Sequence, residues 1–118
     1  MRMAASAIPF VLAASPSSVP GPEVITTYVD SGARQAYVVF DGPIAPISPQ
    51  APSGWTIKRL GVLKAIDNIE TSATDTLRIH YAGAPVPDQI IWTGSGTAPI
   101  GATSGIPAAA FDLTLPWP

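Results

Sequence analysis

Short blocks of alternating apolar and polar residues recur along this chain. The cleanest is Thr76-Leu77-Arg78-Ile79-His80-Tyr81, which places Leu77, Ile79 and Tyr81 on one face and Thr76, Arg78 and His80 on the other. A period of two is the mark of a half-buried strand. Residues 34–40 repeat the pattern, with Ala36, Val38 and Phe40 opposite Gln35, Tyr37 and Val39. The second face is itself partly apolar, so this strand is expected to be covered on both sides or to meet a neighbouring subunit at Tyr37. Residues 54–60 put Trp55 and Ile57 inward and Thr56 and Lys58 outward. Near the end of the chain, Phe111, Leu113 and Leu115 share a face opposite Asp112 and Thr114. Glu23 to Asp30 is rich in β-branched residues and reads as a strand, as does the apolar run Gln89 to Thr93. Val62 to Ile69 alternates less cleanly; strand is favoured there over helix.

Between the blocks lie turn signals. Ser31-Gly32, Asp41-Gly42-Pro43 and Gly61 each end a strand. Asn68 to Ala73 reads as a polar turn, residues 44–53 as a Pro-rich loop or edge segment, and residues 82–88 as a Gly/Pro corner. Gly94 to Ala109 reads as a long, flexible or contact-making loop. The total is about seven short strands with no convincing helix, the pattern of an antiparallel sandwich or a barrel.

The first 22 residues differ. Ser15-Pro16-Ser17-Ser18-Val19-Pro20-Gly21-Pro22 blocks a helix and favours extended geometry. Met1-Arg2 followed by Met3 to Ala14 has the outline of a secretory signal. The apolar run is short, however, and Pro9 interrupts it, so residues 1–22 are expected to be a retained arm that docks on a neighbour. Ile8, Phe10, Val11 and Leu12 are its expected contact residues. Residues 23–118 then form the sandwich.

Composition narrows the function classes. The chain has 118 residues, enough for one domain with its own core. It contains no cysteine, which excludes disulfides, thiolate catalysis and cysteine–zinc clusters. Charged residues make up 12% of the chain and the net charge is −2, so there is no basic patch for nucleic acid or anionic lipid. No stretch reaches the ~20 apolar residues of a membrane span. A surface this poor in charge is consistent with partial coverage in an assembly.

Three segments carry a family resemblance: Tyr37-Val38-Val39-Phe40-Asp41-Gly42-Pro43-Ile44, then Thr76-Leu77-Arg78-Ile79 with Pro85-Val86-Pro87-Asp88-Gln89-Ile90-Ile91-Trp92, and Gly105-Ile106-Pro107-Ala108-Ala109-Ala110-Phe111. From Ala36 onward the chain resembles the bacterial Ig-like domains of surface adhesins and phage structural proteins. Ile106 stands where that pattern usually has Asn. The resemblance implies an all-β, immunoglobulin-like antiparallel β-sandwich of about seven strands, here with an extended N-terminal arm. It also implies a role as adhesion module, spacer or decoration, without catalysis. A single copy with an arm suits an accessory subunit better than a spacer, since no internal repeat is found.

Candidate chemistry is sparse. His80 is the only histidine and stands on an outward face beside Arg78; a surface or interface role is favoured over a catalytic one. Asp41, Asp67, Glu70, Asp75, Asp88 and Asp112 could in principle supply paired carboxylates. All are placed at strand ends or turns, where Asp serves its own backbone. Asp67, Glu70 and Asp75 lack calcium-loop spacing. The Gly-rich segments at 94–96 and 101–105 lack a phosphate-binding Lys and a nucleophile turn. Trp55 and Trp92 are expected in the core, and Trp117, stiffened between Pro116 and Pro118, as an anchor in a neighbour's pocket or a cap on the sandwich end.

The sequence therefore predicts a non-enzymatic structural subunit with no cofactor or metal, present as a homo-oligomer or in many copies and set on a virion surface by its arm and tail. The alternative is an extracellular or cell-surface module that binds a glycan or mediates adhesion.

Overall fold

The computed structural model describes residues 21–83 and 85–115. These form eight β-strands and no helix: β1 (Val24–Asp30), β2 (Gln35–Phe40), β3 (Trp55–Arg59), β4 (Val62–Lys64), β5 (Ile66–Ala73), β6 (Thr76–Tyr81), β7 (Gln89–Trp92) and β8 (Phe111–Thr114). They pair into two antiparallel sheets of four strands, ordered β1-β2-β6-β5 and β4-β3-β7-β8. The molecule is an all-β sandwich.

Side-chain alternation decides which faces meet. Ala36, Val38 and Phe40 of β2 and Leu77, Ile79 and Tyr81 of β6 are buried from one sheet. Trp55 and Ile57 of β3, Ile90 and Trp92 of β7 and Leu113 of β8 are buried from the other. Each of these residues loses nearly all its apolar surface to water, which stabilises the fold by roughly 25 cal/mol per Å2 removed. Trp55 stacks on Trp92 with ring centroids 4.9 Å apart and meets Phe111 edge-on at 5.6 Å.

Three expectations are corrected. Val62 to Ile69 is not one strand: the chain breaks at Ala65, β4 joins one sheet and β5 the other. Asn68 to Ala73 is strand rather than turn. As an edge strand β5 needs only one deep anchor, Ile69, with Ile66 partly buried against the core and the residues between and beyond them mostly polar and partly exposed. Asp67 and Glu70 accordingly lie within a strand. The eight strands among the described residues accord with the expected sandwich of about seven.

The long loop after β7 is also held rather than free. The Trp55 indole N–H donates to the Thr97 carbonyl at 2.9 Å, and that of Trp92 to the Ala108 carbonyl at 3.0 Å. Backbone bonds from Ala45 to Ile100 (2.7 Å), Ala102 to Pro43 (2.9 Å) and Thr97 to Ser53 (2.9 Å) fasten it to the loop that precedes β3. The two backbones cross closely there: a Cβ at Gly54 would lie 2.0 Å from the Ser95 carbonyl oxygen, and one at Gly96 2.3 Å from that of Ser53. Only glycine fits either place.

Candidate partner-contact surfaces

Two surfaces present side chains that the fold does not use internally. The first is the outward face of the β1-β2-β6-β5 sheet. Register places Tyr37 opposite Tyr28 and Arg78, Gln35 opposite His80, and Arg78 opposite Glu70. The Tyr28 and Tyr37 rings stack with centroids 4.5 Å apart and planes 14° from parallel. Tyr28 is 51% exposed, so one ring face is open to solvent.

Beside the rings runs a hydrogen-bonded row. The Tyr37 hydroxyl donates to Gln35 Oε1 at 2.5 Å, and Gln35 Nε2 lies 3.4 Å from His80 Nδ1. His80 Nε2 lies 2.5 Å from Glu70 Oε2, and Arg78 Nη2 lies 3.2 Å from the same oxygen. Gln35 Nε2 can only donate, so the neutral ring accepts at Nδ1 and donates its Nε2–H to Glu70. The His80 contact, helped by Arg78, holds the Glu70 carboxyl below its ordinary value against an opposing effect of burial. The Tyr37 hydroxyl, and then Glu70, push the Arg78 guanidinium above its ordinary value. This row orients a surface. Among the described residues His80 hydrogen-bonds to Gln35 and Glu70, neither of them a nucleophile.

The second surface is the β3–β4 hairpin. A two-residue loop, Leu60-Gly61, joins the strands with φ of 50° and 79°. Positive φ at both positions is the type I′ geometry that matches strand twist, and Asn-Gly is its favoured sequence. The Leu60 N–H donates to Asp88 Oδ2 at 3.0 Å, which fixes the turn. Leu60, Val62 and Leu63 are 78%, 68% and 69% exposed. β4 is the outer strand of its sheet, so its far edge is unpaired among the described residues. Lys64 turns away from this apolar tip. Its Nζ donates to the Ala82 and Gly83 carbonyls at 3.2 Å and lies 5.1 Å from the centre of the Tyr81 ring.

The remaining sequence candidates fall as follows. Tyr37 lies on the first surface. Ile8, Phe10, Val11, Leu12 and Trp117 lie outside the described residues. Trp55 and Trp92 are buried in the core, which removes them as a stacking platform for a sugar. Asp41, Asp75, Asp88 and Asp112 accept hydrogen bonds from Glu23 N–H, Thr76 Oγ1, Leu60 N–H and Gln89 Nε2. Among the described residues no group of three or more His, Cys, Asp or Glu side chains could hold a metal ion, and no helix is long and apolar enough to cross a membrane. Sequence reasoning missed the hairpin tip. The turn at Gly61 was legible, but the short apolar run Val62-Leu63 carries no local signal that it will be left uncovered at a sheet edge. In comparisons with known proteins, no family model matches the chain, and no curated protein or solved structure is detectably similar to it.

Proposed function

We propose that this chain is a non-enzymatic structural subunit of a larger assembly, in its most specific form a decoration or minor structural protein on a phage capsid surface. One observation carries the reading. Leu60 occupies a left-handed backbone conformation that suits Asn or Gly, yet its side chain is 78% exposed. A leucine at positive φ costs about 1–2 kcal/mol, and among the described residues no burial offsets that cost. With Val62 and Leu63 beside it on an open edge, its apolar side chain is suited to a surface beyond the described residues, which we take to be a partner's.

The strand order supports the Ig-like part of the reading. Taken as A to G with one added strand after C, the two sheets are ABED and C′CFG, the order of immunoglobulin-type sandwiches. Such domains serve as modules in surface assemblies on the family resemblance drawn from the sequence. The test is sedimentation velocity on the purified chain across a concentration series. The unchanged protein is expected to form multimers, and Leu60→Asn/Leu63→Thr to shift them toward monomer. A chain that is monomeric throughout, or multimers untouched by the double substitution, would remove the basis of the proposal.

The open Tyr28 face favours one rival, an extracellular glycan-binding module that stacks a sugar on the exposed ring. That reading predicts polysaccharide binding that Tyr28→Ala abolishes and Leu60→Asn leaves intact.

A further inference from the structure

A two-residue loop fixes the hydrogen-bonding phase of the β3–β4 hairpin. The residues that flank such a loop, here Arg59 and Val62, bond to each other, and the phase then alternates along the ladder. Val62 and Lys64 therefore turn their backbone groups toward Arg59 and Ile57. Leu63, opposite Lys58, turns its N–H and C=O to the open side. Side chains alternate as well. Val62 and Lys64 share the inner face with Arg59 and Ile57, and Leu63 shares the outer face with Lys58.

Among the described residues nothing guards this edge. An exposed edge strand is normally protected by a charged side chain, a bulge or a covering loop. The lysine of β4 does not serve, because the Lys64 ammonium is bound by the Ala82 and Gly83 carbonyls at 3.2 Å each. The edge of β5, the next strand in the chain, is covered by the chain itself. Gln50 and Ile69 exchange backbone bonds of 3.1 and 3.0 Å there, and the Thr71 N–H donates to the Ile47 carbonyl at 3.0 Å.

β4 pairs with residues 57–59 of β3, and past Lys64 the chain leaves the sheet at Ala65. A depression of about 350 Å3 opens beyond that point, with Pro52, Trp55, Ala65 and Ile66 in its wall. The exposed Leu60 tip and this depression lie on opposite sides of Leu63. Leu60 is three residues before it and Ile66 three residues after it. A two-fold axis at Leu63 exchanges the two.

We propose that β4 pairs antiparallel with β4 of a second copy of this chain, about a two-fold axis at Leu63, so that each hairpin tip covers the depression of the other copy. The pairing rests on the assembly reading above and supplies its partner and its symmetry. Leu63 of each copy exchanges both backbone bonds with Leu63 of the other. Val62 of each stands opposite Lys64 of the other, and two four-stranded sheets become one continuous sheet.

Features of the chain itself select a second copy. Knob and hole are equidistant from Leu63, the placement that a two-fold partner uses on both sides at once. β4 is three residues long, closed by the turn at one end and by the exit at Ala65 at the other. A second β4 has the same length and the same two limits. The groups that meet are apolar: Leu63 on Leu63, and Val62 on the aliphatic stem of Lys64. Lys58 and its copy stand three strand spacings apart, about 14 Å, beyond the ~8–10 Å over which exposed charges act in physiological salt. A two-fold contact closes on itself, so the product is a dimer from which a larger assembly is built.

The chain has no cysteine, so introduced thiols report the register directly. Val62→Cys and Lys64→Cys chains, mixed and mildly oxidised, are expected to form a disulfide dimer of one of each. Residues opposed in this way have Cα atoms about 4.5 Å apart, within disulfide reach. Either variant alone should link at least tenfold less. Leu63→Lys should raise the dimer dissociation constant at least tenfold, and Ile25→Lys, at an exposed position on β1, should leave it unchanged. Mixed linkage no greater than that of either variant alone, or a dissociation constant untouched by Leu63→Lys, would overturn the proposal. Exchange of the Leu63 amide in the unchanged protein reads the occupant. Slow exchange only at concentrations where the dimer forms supports a second copy. Slow exchange in the monomer would show that another part of the same chain covers the edge, and would overturn it. Multimers that Leu60→Asn/Leu63→Thr disperses, but that give no mixed disulfide, refute the two-fold pairing alone. A monomer at every concentration refutes the assembly reading as well.

Discussion

Replacing Leu60 with Asn should make the isolated fold more stable while removing one of its larger exposed apolar side chains. The magnitude follows from the turn. Leu60 sits at φ 50° and Gly61 at φ 79°, both left-handed. The left-handed conformation costs an ordinary L-residue about 1–2 kcal/mol, and Asn recovers part of it through local hydrogen bonding. Against that stands the loss of apolar contact, which is small for a side chain 78% exposed. The Leu60 N–H bond to Asp88 is made by the backbone and survives the change. The balance is a gain of about 0.5–1 kcal/mol, or a rise of a few degrees in Tm for a domain of this size. Urea unfolding measures it: the midpoint should move up with the slope m unchanged. The measurement belongs at a protein concentration below the onset of association, since association adds its own stabilisation. A variant less stable than the parent by 0.5 kcal/mol or more would show that Leu60 makes internal contacts that outweigh its backbone cost, and the argument from its exposure would fall.

Trp92→Phe should cost about 3 kcal/mol in urea unfolding. It strands the Ala108 carbonyl, which is buried, at about 1–3 kcal/mol, and weakens the stack on Trp55. It should also raise amide exchange across residues 94–110; a cost under 1 kcal/mol would refute the pinned-loop description. Glu70→Gln should flatten the acid limb of the stability curve. The folded state holds the Glu70 carboxyl below its ordinary value of 4.5, so the stability it contributes is complete above that pH and is lost as pH falls through the lower folded value. The effect is about 0.2–1 kcal/mol for a partly exposed pair, and identical acid limbs for parent and variant would count against the Glu70–His80–Arg78 row.

Several features of this protein were legible in the sequence because they depend on neighbours along the chain. Alternation within β2, β3, β6 and β8 assigned Phe40, Trp55, Leu77 and Leu113 to the core, since a pleated backbone sends successive side chains to opposite faces whatever lies beyond them. Gly61 marked a turn for the same local reason. Where the pattern failed, the deciding contact was distant. β5 reads as a turn because its pairing with β6 and the burial of Ile69, not its own composition, make it a strand. The loop after β7 reads as flexible because nothing in its small residues announces that two indole N–H groups from β3 and β7 will bind its carbonyls. The exposure of Leu60, Val62 and Leu63 is likewise a tertiary fact. A short apolar run looks the same in sequence whether a second sheet covers it or not, and only the placement of β4 at the rim leaves this one open. The residues that fill the core were chosen by local periodicity; the surfaces left for a partner were decided by which strands ended up at the edges.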